Sequence, residues 1–332
     1  MRFVILGAGG LGSVIGGYLA KAGEDVTLIC RQAHADAINS KGLKISGVRG
    51  DHLVRENLSA VTAPDEATGE FDHLIILVKG KDTETALAQA EGLKARCKNV
   101  FSLQNGIGKE ERLRAWAGRD KVVGASTIEG GTLHEPGVVS NPLTTPITAW
   151  FGELDGGTSP RTDALAEAFT RAGLEARSVP NIMQVLWEKL VQIGTASGWS
   201  VSTLGLRLYF QDGLLIRQGA EQYVALAKDM LHVYGAMGYT PQNFYAPMSQ
   251  FKELNELDFE GGVAMMIKLG ERLKQQGMRG RTSMHEDVIR GKKTEVDYLL
   301  KPLLDKAAEL GLEVPVLETV YRIVKTQDAY LE

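Results

Sequence analysis

The sequence is short of cysteine, of long apolar runs and of excess charge, and each shortage removes a class of protein. Two cysteines in 332 residues, Cys30 and Cys97, cannot build a disulfide framework. Beside expected strands they read as reduced, partly buried thiols of a reducing compartment. No stretch approaches the roughly 18 consecutive apolar residues of a membrane span, and the opening run "RFVIL" is too short for a signal segment. A cytoplasmic chain with no membrane partner is expected. Lys and Arg number 37 against 41 Asp and Glu, a net charge of −4, so nothing forces a polybasic surface and a nucleic-acid partner is not expected. The six histidines show no metal-ligand spacing among themselves or with the cysteines, so no metal is expected.

What is present is an ordinary globular composition, 44% hydrophobic and 23% charged, in a chain longer than one core usually organises, which predicts two domains. "RFVIL" (2–6) predicts a buried strand, "GSVIGGYLAKAG" (12–23) a helix with Ile15, Leu19 and Ala22 on one face, and "DVTLIC" (25–30) a second strand. Together they form a βαβ unit of about 30 residues. "HLIILVK" (73–79), "NVFSLQN" (99–105) and "KVVGAS" (121–126) continue the strands, with a helix between the first two. The stretch 132–153, rich in prolines and β-branched residues, predicts antiparallel strands or hairpins added to the sheet. After "LEARSVPN" (174–181) only helices are predicted: from 182 to 196 or beyond, then 217–235, 258–276, 284–290, 295–310 and 316–330. The expected division is an α/β domain over 1–180 and an all-helical domain over 181–332, with 238–250 as an inter-helix connection.

"GAGGLG", comprising Gly7, Ala8, Gly9, Gly10, Leu11 and Gly12, has G-x-G-x-x-G spacing directly after a strand and at the start of a helix, the context the dinucleotide fingerprint requires. Gly7 permits the tight turn, Gly9 lets backbone approach a pyrophosphate, and Gly12 lets helix and strand pack closely. The helix N-terminus offers N–H groups and a positive dipole end to phosphates. NAD sites usually carry Asp or Glu about 20 residues on, at the end of the second strand. Here Cys30 holds that place and Arg31 follows. A guanidinium suits a 2′-phosphate, so NADP(H) is the expected cofactor. Lys79 ends an apolar strand and Asn105 stands in "QNG" after the next; both lie where ligands meet parallel sheets. Each also has a plain reading: Arg31 and Lys79 as surface cations, Asn105 as half of an ordinary Asn-Gly turn.

In "WEKLVQIGTASG" (187–198), Lys189 sits within an apolar and small-residue run. Positions 189, 193, 196, 197 and 200 share a helical face, and small residues there, with Gly194 and Gly198 nearby, leave room for a ligand. A desolvated lysine is a good proton donor near neutral pH; a snorkelling surface lysine is the alternative. "SMHE" (283–286) and "TEVD" (294–297) have capping-box form, which would make Ser283 a helix cap and put Glu295 in a first helical turn.

The succession "GAGGLGSVIGGYLAKAG", "LVKGKDT", "QNG", "WEKL", "TSMHEDVIRGKKTEVDYL" and "PVLETVYRIVK" resembles the ketopantoate reductase (2-dehydropantoate 2-reductase) family over nearly the whole chain. The resemblance implies a Rossmann-type domain followed by an all-α domain like the C-terminal one of 6-phosphogluconate dehydrogenase. It also implies an NADPH-dependent oxidoreductase of pantothenate biosynthesis that reduces a 2-oxo acid in the cleft between the domains. Carried over by motif, Lys189 becomes the general acid, Glu295 the carboxylate that works with it and binds substrate, and Ser283 a substrate-binding hydroxyl. Asn105 and Lys79 become positions that contact cofactor and substrate. The chain departs from the family where ketopantoate reducers carry Asn four and eight residues after the lysine: Ile193 and Ser197 stand there. Isoleucine cannot supply an amide's hydrogen bonds, and an unpaired polar group on a bound substrate costs roughly 1–3 kcal/mol. The chemistry therefore carries over better than the substrate does, and a more apolar 2-oxo acid or another ketone is an open expectation. The other expectations are a two-domain dehydrogenase for a different hydroxyacid, an NADP(H) sensor without turnover, and self-association of the helical half as a homodimer.

Overall fold

The computed structural model describes residues 1–331. The chain forms two compact units. The first comprises Met1–Gln104 and Gly108–Leu186; the second comprises Asn105–Ile107 and the chain from Trp187 onward.

The first unit runs β1 (Arg2–Leu6), α1 (Gly10–Lys21), β2 (Asp25–Ile29), α2 (Gln32–Lys41), β3 (Leu43–Gly47), β4 (His52–Val54), β5 (Leu58–Val61), β6 (Phe71–Ile76), α3 (Thr83–Gln89), α4 (Glu91–Arg96), β7 (Cys97–Ser102), α5 (Lys109–Ala117), β8 (Gly124–Thr127), β9 (Thr132–Glu135), β10 (Val138–Asn141), β11 (Ala149–Gly152), α6 (Pro160–Arg171) and β12 (Ala176–Ser178). Five strands form a parallel sheet in the order β5-β2-β1-β6-β7. Residues 3–6 of β1, 26–29 of β2 and 73–76 of β6 are buried without alternation, Thr27 and His73 included, as in a sheet covered on both faces. The chain leaves β1 toward β2 on one side, while β6 lies on the other. That reversal places a switch point, where doubly wound sheets bind ligands, at the turn that follows β1.

The strands of 132–153 do not extend this sheet, contrary to the expectation from sequence. β9 and β10 form a hairpin in a separate four-stranded sheet, β4-β3-β10-β9, and β11 lies between β12 and β8 in a third. The reason is pairing: β10 runs parallel to β3, whose short apolar pattern between α2 and β4 gave no sequence signal. An aromatic cluster ties the layers together. Phe101 of β7 meets Phe151 of β11 edge-on at 5.6 Å, and Phe151 meets Phe169 of α6 at 4.9 Å.

The second unit runs α7 (Ile182–Thr203), α8 (Phe210–Leu215), α9 (Arg217–Ala236), α10 (Phe251–Glu256), α11 (Phe259–Gln275), α12 (Ser283–Ile289), α13 (Val296–Leu299), α14 (Lys301–Leu310) and α15 (Pro315–Tyr330). The first turn of α7 belongs to the first unit. The helix expected over 295–310 is two helices, because Pro302 in the first turn of α14 donates no N–H and restricts the residue before it. The capping boxes also resolve differently. Thr282, not Ser283, caps α12 by accepting from His285 N at 3.4 Å, and Glu295 is itself the residue preceding α13. Gly194 and Gly198 do not open space for a ligand: a β-carbon would meet Leu299 O at 3.0 Å at the first, and Val320 at 3.1 Å at the second. The glycines let α7 pack closely against α13, Leu300 and α15.

Two buried polar groups make the first unit testable. Arg49 donates to Glu129 Oε2 at 3.1 Å, and Asn141 Nδ2 donates to the same oxygen at 2.8 Å and to Gly130 O at 2.9 Å. Removing one partner of a buried pair leaves the other uncompensated, at about 3–5 kcal/mol. Glu129→Gln is therefore expected to lower unfolding free energy by about that amount in a denaturant titration, and a loss below about 1 kcal/mol would contradict this reading. His73 is buried and stacked on Phe3 at 5.2 Å, and desolvation lowers its pKa from 6.5 to about 4. An imidazole protonated only when unfolded withdraws stability as pH falls from 6.5 toward about 4. His73→Phe is expected to flatten the stability–pH curve over that window, read as the unfolding midpoint at several pH values.

Candidate active site

The turn after β1 is built for close approach. Gly7 has φ +98°, and a β-carbon on it would meet Val78 N at 2.4 Å. Ala8 N donates to Ile29 O at 3.0 Å and Gly9 N to Gly7 O at 2.8 Å, which fixes the turn to the end of β2. A β-carbon on Gly12 would meet Gly7 O at 2.8 Å, so this glycine serves packing of helix on strand. At Gly9 a β-carbon would meet nothing within 4 Å, so this backbone faces open space. The first turn of α1 has no acidic residue and no side-chain cap. An anion can take the place of the missing cap on those N–H groups. The turn thus fits a dinucleotide's phosphates.

Residues that carried no sequence signal complete the turn. Gly131, in the loop before β9, lies against Gly10 so closely that a β-carbon on it would meet Gly10 C at 2.4 Å. Gly137 N donates to His34 Nδ1 at 2.9 Å, so His34 carries its proton on Nε2 and donates to Ser13 Oγ at 2.9 Å. Ser13 in turn donates to Ala8 O at 3.3 Å. This buried relay joins α2, the hairpin turn and the glycine turn. A proton on Nδ1 would face an N–H donor; desolvation already lowers the His34 pKa and keeps the ring neutral.

Arg31 is exposed, immediately before α2, and its guanidinium makes no hydrogen bond among the described residues. Cys30 is half-buried, and burial raises its thiol to a pKa of about 11. Lys79 is exposed and lies beyond the strand, since β6 ends at Ile76. Gln104 braces the adjoining strand ends by donating to Val78 O at 2.6 Å and Thr83 Oγ1 at 2.9 Å.

In the second unit Lys189 is 6% exposed, and its Nζ donates to Asn105 Oδ1 at 2.9 Å. α13 lies against both. A β-carbon on Gly106, next to Asn105, would meet Tyr298 O at 3.0 Å, and Gly194 of α7 faces Leu299. Glu295, half-buried, immediately precedes this helix. Lys189 and Asn105 are thus in contact, and the short helix that begins after Glu295 packs on both neighbourhoods. Ile193 and Ala196 are half-buried and Ser197 is buried on the lysine's face of α7. Ser283 is exposed in the first turn of α12, which is fastened by His285 Nε2 to Gly205 O at 2.6 Å.

Glu188, next to Lys189, is buried with a different task. It accepts from Gln242 N at 2.7 Å, Phe244 N at 3.0 Å and Tyr234 Oη at 3.2 Å. Desolvation raises its pKa against those bonds. Among the described residues no group of three or more His, Cys, Asp or Glu side chains is placed to hold a metal ion, and no helix is long and apolar enough to cross a membrane.

Comparison with known proteins bears on this geometry. Residues 3–156 match the family model described as ketopantoate reductase PanE/ApbA, and residues 181–328 match the one for its C-terminal part. The 2-dehydropantoate 2-reductase of Pyrococcus horikoshii is 31% identical over 99% of this chain and 98% of its own. Among solved structures, a PanE/ApbA family ketopantoate reductase from Ralstonia eutropha JMP134 superposes with a TM-score of 0.78 at 24% identity, covering 100% of this chain and 99% of that one. A D-mandelate dehydrogenase determined with NADH and anilino(oxo)acetate superposes with a TM-score of 0.78 at 21% identity and the same coverage. These last two likenesses establish the fold: a Rossmann-like parallel sheet followed by a helical C-terminal part. The two family models together span most of the sequence, and the chain belongs to the ketopantoate reductase family, oxidoreductases acting on CH–OH donors.

Proposed function

We propose that this protein catalyses NADPH-dependent reduction of a 2-oxo acid to the 2-hydroxy acid. The first unit holds the cofactor, and the second supplies the proton and the substrate contacts. The observation that carries the reading is the buried ammonium of Lys189 donating to Asn105 at 2.9 Å. An ammonium has three N–H donors. Asn105 accepts one and aims the group, and the substrate's carbonyl oxygen accepts another. The bound cofactor would supply a hydride to the carbonyl carbon. Lys189 polarises the carbonyl and transfers a proton from Nζ to the oxygen as negative charge develops there. Glu295 orients the lysine and binds substrate, and Ser283 and Ser197 offer hydroxyls to it. Gly7 to Gly12 hold the pyrophosphate, with Lys79 beside them, and Arg31 holds the 2′-phosphate.

The half-buried Ile193 favours a substrate with a hydrocarbon substituent beside the carbonyl over hydroxylated ketopantoate.

Two substitutions test the assignment. Lys189→Ala is expected to lower kcat by about 100-fold or more while NADPH still binds, measured by steady-state oxidation of NADPH and by nucleotide fluorescence titration. Normal turnover would remove Lys189 from the chemistry. Arg31→Ala is expected to weaken kcat/KM for NADPH by about 10–100-fold while leaving NADH nearly unchanged. An equal loss with both nucleotides would contradict a 2′-phosphate contact.

A further inference from the structure

The polar residues buried along α7 are nearly all accounted for. Glu188 fastens the loop after α9, and Thr195 donates to Met230 Sδ at 3.0 Å. Ser200 donates to its own helix at Ala196 O, 2.7 Å away, and Lys189 meets Asn105. Two further polar side chains of α7 have no hydrogen-bond partner among the described residues, Ser197, already considered as a substrate contact, and Gln192, only 8% exposed; neither has its polar atoms sealed from solvent, so what exposure Gln192 keeps includes its carboxamide. A side chain whose stem is buried and whose carboxamide reaches an opening without a protein partner is available to a group that arrives from solvent.

Helical spacing says where that group lies. At 3.6 residues per turn, Gln192 sits about 60° to one side of Lys189, and Ile193 about 40° to the other, one turn further along. Ser197 lies beyond Ile193 on the same side, about 80° from the lysine. The ammonium is therefore flanked by an amide on one side and a hydrocarbon side chain on the other.

We infer that Gln192 is a substrate-binding residue: its carboxamide N–H donates to the carboxylate of the 2-oxo acid, while Ile193 packs against the hydrocarbon substituent on the far side of the carbonyl that Lys189 holds. The inference rests on the reading of Lys189 as the proton donor. It answers the loss of an amide at position 193, because the amide is present one residue earlier and on the opposite flank. This division of the helix face defines a substrate class, an unhydroxylated 2-oxo acid with a branched or aryl hydrocarbon substituent.

The test uses the full-length protein with saturating NADPH, and 2-oxoisovalerate and its methyl ester as substrates. Gln192→Leu is expected to raise KM for the acid by about 10–100-fold, with the dissociation constant of NADPH unchanged within about twofold. Gln192→Glu, of the same shape but with a second negative charge, is expected to raise KM for the acid more than Gln192→Leu does, and to raise it much less for the uncharged ester. A merely structural side chain would not tell acid from ester. Should Gln192→Leu fail to fold in a thermal scan, Gln192→Asn serves instead, with a smaller rise in KM expected. Unchanged KM in the folded variants, alongside an inactive Lys189→Ala, overturns the role of Gln192 and leaves the reading of Lys189 standing. Normal turnover by Lys189→Ala, or none by the unmodified protein, overturns both.

Discussion

Burying two opposite charges on neighbouring residues of one helix is the constraint around which the second unit is organised. Glu188 and Lys189 are 2% and 6% exposed, and neither charge is tolerable in such surroundings without partners. The carboxylate is satisfied by two backbone N–H groups and a tyrosine hydroxyl. Those bonds hold the loop after α9 against α7 and thereby fix the rotation of α7. The ammonium points elsewhere and meets Asn105. One charge is spent on architecture, and the other is held beside Asn105. The glycines of α7 serve the same end: they bring α13 close, and Glu295 with it.

In the first unit the corresponding constraint is steric. Gly7, Gly10, Gly12 and Gly131 are all sites where a β-carbon would collide with backbone, whereas Gly9 faces open space. Four of these glycines shape the turn, and one leaves room above it. The ion pair of Arg49 and Glu129, with Asn141, holds Gly130 and so places Gly131 against Gly10. A buried network distant in sequence thereby sets the geometry of the glycine turn after β1.

Much of this could be read from sequence because the signals were local. β1, α1 and β2 follow from an apolar run, a glycine turn and a helical repeat, and α7, α9, α11 and α15 from long amphipathic or apolar periodicity. The residues of "GAGGLG", Lys189 and Asn105 stand in motifs. What escaped the sequence was non-local. The separate sheet of β3, β4, β9 and β10 depends on strands about a hundred residues apart finding each other. Gly131 matters only because Gly10 lies beneath it, and the link from His34 through Ser13 to Ala8 spans residues with no motif. Gln192 could not stand out in a helix until its neighbours were seen to have partners and it was not. The cap of α12 falls one residue from the sequence reading because Thr282 and Ser283 are chemically alike, and the start of α13 does so where Thr294 bonds the distant Asp328.

Everything proposed above depends on Lys189 meeting a 2-oxo acid whose substituent is hydrocarbon. Initial rates of NADPH oxidation against a series graded from 2-oxoisovalerate and phenylglyoxylate to ketopantoate would test it most directly. Turnover is expected across the series, with the hydrocarbon members having the higher kcat/KM. A clear preference for ketopantoate would contradict the role given to Ile193, and no turnover with any member would contradict the assignment of the reaction.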